Sequence, residues 1–174
     1  TSSVGLAAAA LAKRRGVTVV ATTRRAERID ELIDNGADHA IVDDGDAAAK
    51  VRQIFPDGVD AALELVGTSV LADTMGAVRF HGVVCVSGSL SDSWTIDGFY
   101  PIGDIPNGVR LTGYFGDAGD LPTDAFQSIL DDIAAGELSF PVHRVYDGLD
   151  EVRQAHTDME TNAATGKLVV RVRH

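Results

Sequence analysis

Short runs of β-branched and apolar residues alternate along the chain with longer stretches whose apolar positions recur every three or four residues. The short runs fall at residues 17–22 (VTVVAT), 39–43, 59–66 (VDAALELV), 82–87 (GVVCVS) and 109–115, and each predicts a strand. The helical period predicts helices at 2–15, 24–35, 46–55, 69–78 and 124–135, three of them stopped by Gly16, Gly36 and Gly136. Strands that alternate with helices of this length build parallel βαβ units with right-handed crossovers, so the expected fold is α/β with a doubly wound, Rossmann-type parallel sheet. Residues 89–108 break the rhythm with Trp94, Phe99, Tyr100, Pro101 and Pro106, and read as a long loop or lid. The tail has a strand at 140–145, a helix at 149–160 and a strand at 167–172.

Composition narrows the function. The 174 residues carry a formal charge of −11, which opposes a phosphate backbone and excludes nucleic acid as the expected partner. No stretch approaches the roughly 18 uncharged apolar residues that a membrane span requires. The single cysteine forms no internal disulfide and no secretory signal is visible, so a reducing cytoplasm is the expected setting.

The opening segment, TSSVGLAAAALAKRRG, has the chemistry of a dinucleotide-binding turn. Small residues at Ser2 and Ser3 let a pyrophosphate approach the backbone at a helix N-terminus, and Gly5 allows close packing of helix on sheet. An alanine-rich helix with a serine cap accounts for the same residues. The end of the strand at 17–22 adds a distinction. A Rossmann domain that binds an unphosphorylated adenosine ribose places an acid there. This chain has Thr22-Thr23-Arg24-Arg25 instead, hydroxyls and guanidinium groups suited to a 2′-phosphate. Arg24 and Arg28, four residues apart, are expected on one helix face with the phosphate, whereas Arg25 is expected to be a surface arginine. Pairing with Glu27, Asp30 and Glu31 is the competing use of all three.

Taken in order, TSSVGLAAAALAK, VTVVATTRR, NGADHAIVDD, GVDAALELVG, HGVVCVSGSL, VRLTGYFGD and LDEVRQAHTDMETNAATGKLVV resemble the cofactor-binding half of the medium-chain dehydrogenase/reductase superfamily, in its zinc-free quinone-oxidoreductase branch. The resemblance implies NADPH as cofactor. Ser2, Ser3 and Val4 then face the pyrophosphate, and Thr22, Thr23, Arg24 and Arg28 surround the 2′-phosphate and adenosine ribose. Val66 and Gly67 line the adenosine side, Ser87, Gly88 and Ser89 lie beside the nicotinamide ribose, and Tyr114 and Phe115 approach the nicotinamide. Packing under the 89–108 loop is the alternative for the last two.

The same resemblance divides the chain into a cofactor domain at 1–138 and a segment, 139–174, that completes a GroES-like catalytic domain. It also implies a first strand and that domain upstream of Thr1, a tail poorly anchored without them, and a homodimer paired through strand 109–115. The implied activity is hydride transfer to a small molecule, a quinone or an α,β-unsaturated carbonyl. A thioester enoyl reductase, a non-catalytic NADPH-binding protein and, less well fitted, an adenosine-binding methyltransferase-like domain compete with it. No metal site is expected: Cys85 lies inside an apolar run, and the nearest histidine pair, His143 and His156, lacks zinc-motif spacing. Neither a hydrolase nucleophile elbow nor calcium-loop phasing is present.

Overall fold

The computed structural model describes residues 2–90, 93–161 and 163–172. In chain order the elements are α1 (Ser3–Arg14), β1 (Val20–Thr23), α2 (Ile29–Asp34), β2 (His39–Val42), α3 (Ala47–Ile54), β3 (Val59–Glu64), α4 (Leu71–Ala77) and β4 (Val78–Val86). They continue with α5 (Pro101–Asp104), β5 (Arg110–Gly113), α6 (Thr123–Ala134), β6 (Val142–Asp147), α7 (Val152–Glu160) and β7 (Lys167–Arg171). The sheets are β1-β2, β3-β4-β5 and β6-β7, and the fold is α/β and Rossmann-like, as the alternation predicts. None of the described helices is long and apolar enough to cross a membrane. The chain divides into two compact units, one of residues Thr1–Ala21, Glu27–Ala40 and Pro122–His174, the other of Thr22–Ala26 and Ile41–Leu121.

In the first unit, Ser2 caps α1 by accepting a hydrogen bond from the Gly5 N–H at 3.1 Å. Leu6, Leu32 and Ala37 form its core with Val19, Ala21 and Ala40 packed around them. Arg14 pairs with Asp132 on α6, and Lys13 with Asp38. The tail forms a parallel β6-α7-β7 unit around fully buried Tyr146. It is also tied down, against the expectation of poor anchoring: the Ser3 hydroxyl donates to Gly166 O at 2.9 Å, and Arg28 donates to Ala163 O at 3.3 Å and to the Thr165 hydroxyl.

The second unit is built on β3-β4-β5. All three strands are parallel, with Glu64 opposite Val86 and Val86 opposite Gly113. Leu71, Met75, Val78, Val84 and Val109 make its core. Strand β5 lies at the edge of this sheet.

Several boundaries move from their expected places, each for a local reason. Strand β1 begins at Val20 rather than 17 because the Val19 N–H is taken by the Asp38 carboxylate and its carbonyl by the N–H groups of Asp38 and His39. The helix expected over 24–35 contracts to a 3-10 turn at Ala26–Arg28 followed by α2, because the Thr23 hydroxyl accepts the Arg25 N–H and holds 23–25 in a turn. Strand β3 stops at Glu64, whose own side chain captures the next two free N–H groups. Strand β4 starts directly at Val78, with Arg79–Gly82 thrown out as a bulge between the pairs Val59–Val78 and Ala61–Val83. Strand β6 cannot begin at 140, since Pro141 has no N–H for a ladder. Within 89–108, Pro101 starts the short α5, and Leu90, Trp94 and Ile102 are largely exposed.

Candidate functional site

The C-terminal ends of β3 and β4 carry the most tightly organised of the expected site residues. Glu64, only 5% exposed, ends β3 with a carboxylate in an apolar sheet. Its Oε1 accepts the N–H groups of Val66 at 2.6 Å and Gly67 at 3.0 Å, and its Oε2 accepts the Thr74 hydroxyl at 2.6 Å. Its carbonyl accepts the N–H groups of Ser87 at 2.9 Å and Gly88 at 3.2 Å. The Leu90 N–H closes the arrangement on Val66 O at 2.7 Å. Val66, Gly67, Ser87 and Gly88 are thereby brought together, with Ser89 half-buried between Gly88 and Leu90. The approach at Gly88 is so close that a β-carbon there would lie 2.0 Å from Leu65 O. Glu64 escapes sequence reasoning because its position in VDAALELV reads as an ordinary strand residue; an acid between two leucines in a buried-strand run is the available signal.

At the end of β1, Thr22 is exposed and Thr23 is 7% exposed. Arg24 lies in a bend outside any helix, so the expectation that Arg24 and Arg28 share one helix face does not hold. Arg24 and Arg25 are exposed, and neither guanidinium group forms a hydrogen bond or ion pair with the described residues. Arg28 differs: its guanidinium pairs with Glu31 and is held by Thr165 and Ala163, which leaves it committed to structure. Of the two arginines expected at a 2′-phosphate, Arg24 alone has a guanidinium without a partner among the described residues; the guanidinium of Arg25, expected to be a surface arginine, has none there either.

In the first unit, Ser2, Ser3 and Val4 form the first turn of α1 and its cap. The amides of the first turn have no intrahelical carbonyl to bond, and Ser2 satisfies that of Gly5. Ser3 and Val4 line a mainly apolar cleft of about 340 Å³ with Leu6 and Ala7, closed on its other side by Phe140, Pro141, Gly166 and Lys167. The Ser3 hydroxyl is turned to Gly166 O, so the backbone rather than this hydroxyl is what the turn offers an anion.

Tyr114 and Phe115 lie just past β5 rather than inside a strand, because the ladder ends at Gly113 and only the Tyr114 N–H continues to Val86 O, at 2.9 Å. Tyr114 is 55% exposed and Phe115 fully so, which is not packing under the 89–108 loop. Cys85 is half-buried between its β3 and β5 neighbours. Among the described residues no three His, Cys, Asp or Glu side chains are grouped to hold a metal ion.

Comparison with known proteins places this geometry. The zinc-binding dehydrogenase family matches residues 35–170. A "Probable quinone oxidoreductase" of Schizosaccharomyces pombe is 29% identical, with 96% of this chain and 51% of the relative covered. A "2-alkenal reductase (NADP(+)-dependent)" of Nicotiana tabacum is 26% identical over 99% of this chain and 52% of its own length. The Escherichia coli quinone oxidoreductase crystallised with NADPH superposes with a TM-score of 0.83 at 20% identity, covering 97% of this chain and 54% of that one. The chain spans about half the length of the curated relatives it matches. It belongs to the zinc-binding dehydrogenase family, within the medium-chain dehydrogenase/reductase superfamily, and is similar there to quinone oxidoreductases.

Proposed function

We propose that the protein binds NADPH and belongs to an oxidoreductase that passes a hydride to a quinone or to the β-carbon of an α,β-unsaturated carbonyl. The observation that carries the cofactor choice is the end of β1, where Thr22, Thr23, Arg24 and Arg25 stand without a carboxylate and both guanidinium groups lack partners among the described residues. A 2′-phosphate suits such a donor set, whereas a bare ribose diol calls for an acceptor. The alkenal reductase's NADP dependence and the oxidoreductase names of the relatives support the same reading.

In it, the first-turn N–H groups of α1 at Ser3 and Val4 hold the pyrophosphate, and Thr22, Thr23 and Arg24 hold the phosphorylated ribose. Val66 and Gly67 support the adenosine side, and Ser87, Gly88 and Ser89 the nicotinamide ribose. Tyr114 and Phe115 supply apolar surface that orients the nicotinamide ring and excludes water. Bound NADPH supplies the hydride.

Titration of NADPH and NADH against the protein, followed by nicotinamide fluorescence, tests the cofactor choice. NADPH is expected to bind tighter by about 10- to 100-fold, the worth of one or two charge-assisted contacts, and R24A to lose most of that margin. Equal affinities in the unsubstituted protein overturn it. Oxidation of NADPH by a quinone or enone tests the reaction; tight binding without turnover on either class favours a non-catalytic NADPH-binding protein.

The homodimer belongs to the same proposal, with the open edge of β5 pairing with its copy. A monomer by light scattering removes that part. The assignment of 139–174 to a catalytic domain is likewise proposed, on the resemblance alone.

A further inference from the structure

We infer that Glu64 is a positioning residue that locks the two nucleotide-lining loops, 65–68 and 87–90, to each other; this rests on the NADPH reading above. One residue engages both loops. Its carboxylate takes the Val66 and Gly67 N–H groups at 2.6 and 3.0 Å, and its carbonyl takes those of Ser87 and Gly88 at 2.9 and 3.2 Å. The second carboxylate oxygen is steadied by the Thr74 hydroxyl on α4, so the side chain is held from both ends.

A carboxylate at 5% exposure is costly unless its hydrogen bonds are made, and an apolar residue would fill the same volume without that cost. What an apolar residue lacks is two acceptor atoms aimed at the turn after β3. Without them the Val66 and Gly67 N–H groups are orphaned, and Gly67, at a φ of +111°, loses what fixes its conformation. The Leu90 N–H bond to Val66 O then transmits the loosening to 87–90. Glu64 touches no part of the nucleotide in this account; it sets the spacing of the loops that do.

The test combines amide hydrogen exchange with nucleotide titration on the full chain as E64L, E64Q and T74V. E64L is expected to speed exchange about tenfold or more at Val66 and Gly67 and also at Ser87, Gly88 and Leu90. It should weaken NADPH and NADH by the same factor, roughly tenfold, since the 2′-phosphate is not involved. E64Q keeps an acceptor for both amides and presents its NH₂ to the Thr74 oxygen, so it is expected to restore binding and protection. T74V, which withdraws only one support, reproduces the E64L pattern more weakly and decides the question if E64L does not fold. Faster exchange confined to Val66 and Gly67, undiminished binding in E64L, or a loss specific to NADPH each overturns the inference. If the unsubstituted protein binds neither nucleotide, the NADPH reading fails, while exchange at 87–90 still decides the lock.

Discussion

Replacing Gly88 by alanine isolates the close approach of the two loops. The added β-carbon would lie 2.0 Å from Leu65 O, 2.3 Å from its carbonyl carbon and 2.5 Å from its Cα. All three are main-chain atoms, so no rotamer change relieves the clash. The loop must withdraw from Leu65, and that motion breaks the Gly88 N–H bond to Glu64 O and strains the 2.7 Å bond from Leu90 N to Val66 O. Each bond contributes about 1 kcal/mol net, and overpacking adds typically 1–3 kcal/mol. The expected loss is roughly 2–4 kcal/mol, about 30- to 1,000-fold in the folding equilibrium. Urea unfolding followed by circular dichroism reads it as a lowered midpoint at unchanged slope. Gly113 is the control: its added β-carbon would meet only Val86 O, at 3.7 Å, and G113A is expected within about 0.5 kcal/mol of the parent. A G88A protein as stable as G113A would refute the reasoning.

Three further outcomes follow from the first unit. L6A, at the 1%-exposed centre of its core, should cost about 2–5 kcal/mol by urea unfolding; a loss under about 1 kcal/mol would mean the site collapses freely. R28A should destabilise by about 1–3 kcal/mol, by stranding Glu31 and releasing 163–165, and leave the NADPH-to-NADH ratio unchanged; a collapsed ratio would return Arg28 to the phosphate. Y146F should alter the pH dependence of stability at both ends. The Tyr146 hydroxyl, then Gln154, holds the Asp158 carboxyl below its usual range, so that stabilisation is present above the unfolded value of about 3.9 and is lost as pH falls through the lower folded value. Burial, then Asp158, raises the Tyr146 phenol, so its contribution is present below about pH 10 and is lost as pH rises through the higher folded value. The stability difference between parent and Y146F should therefore be level at neutral pH and shrink below about pH 4 and above about pH 10; a difference flat across the whole range counts against the Tyr146–Asp158 bond.

Much of the architecture was legible because it depends on short-range physics. The α1 boundary follows from a serine cap, an alanine-rich run and a terminal glycine, all within one helix. The β3 and β4 strands follow from short apolar runs, valine-rich in β4, whose backbones must pair. What failed was also local, but depended on side chains competing for backbone groups. Thr23 takes the Arg25 amide and delays α2, and Pro141 withholds an amide from β6. Such contests leave no trace in the hydrophobic period.

The candidate site divides along the same line. Val66, Gly67, Ser87 and Gly88 were named by the family resemblance, and they fall at strand ends, where ligands meet open α/β sheets. By itself the sequence determined the α/β class, the family resemblance and the basic, acid-free end of β1. These rest on residue type and spacing over a few positions. Only the tertiary structure decided which polar groups are free. Arg28 meets Thr165, 137 residues away, and Ser3 meets Gly166, 163 residues away. Glu64 engages both loops only because folding brings 87–88 beside 64–67. A hydrogen-bonding group is used by the nearest partner in space, and for these residues no rule of local sequence sets that distance.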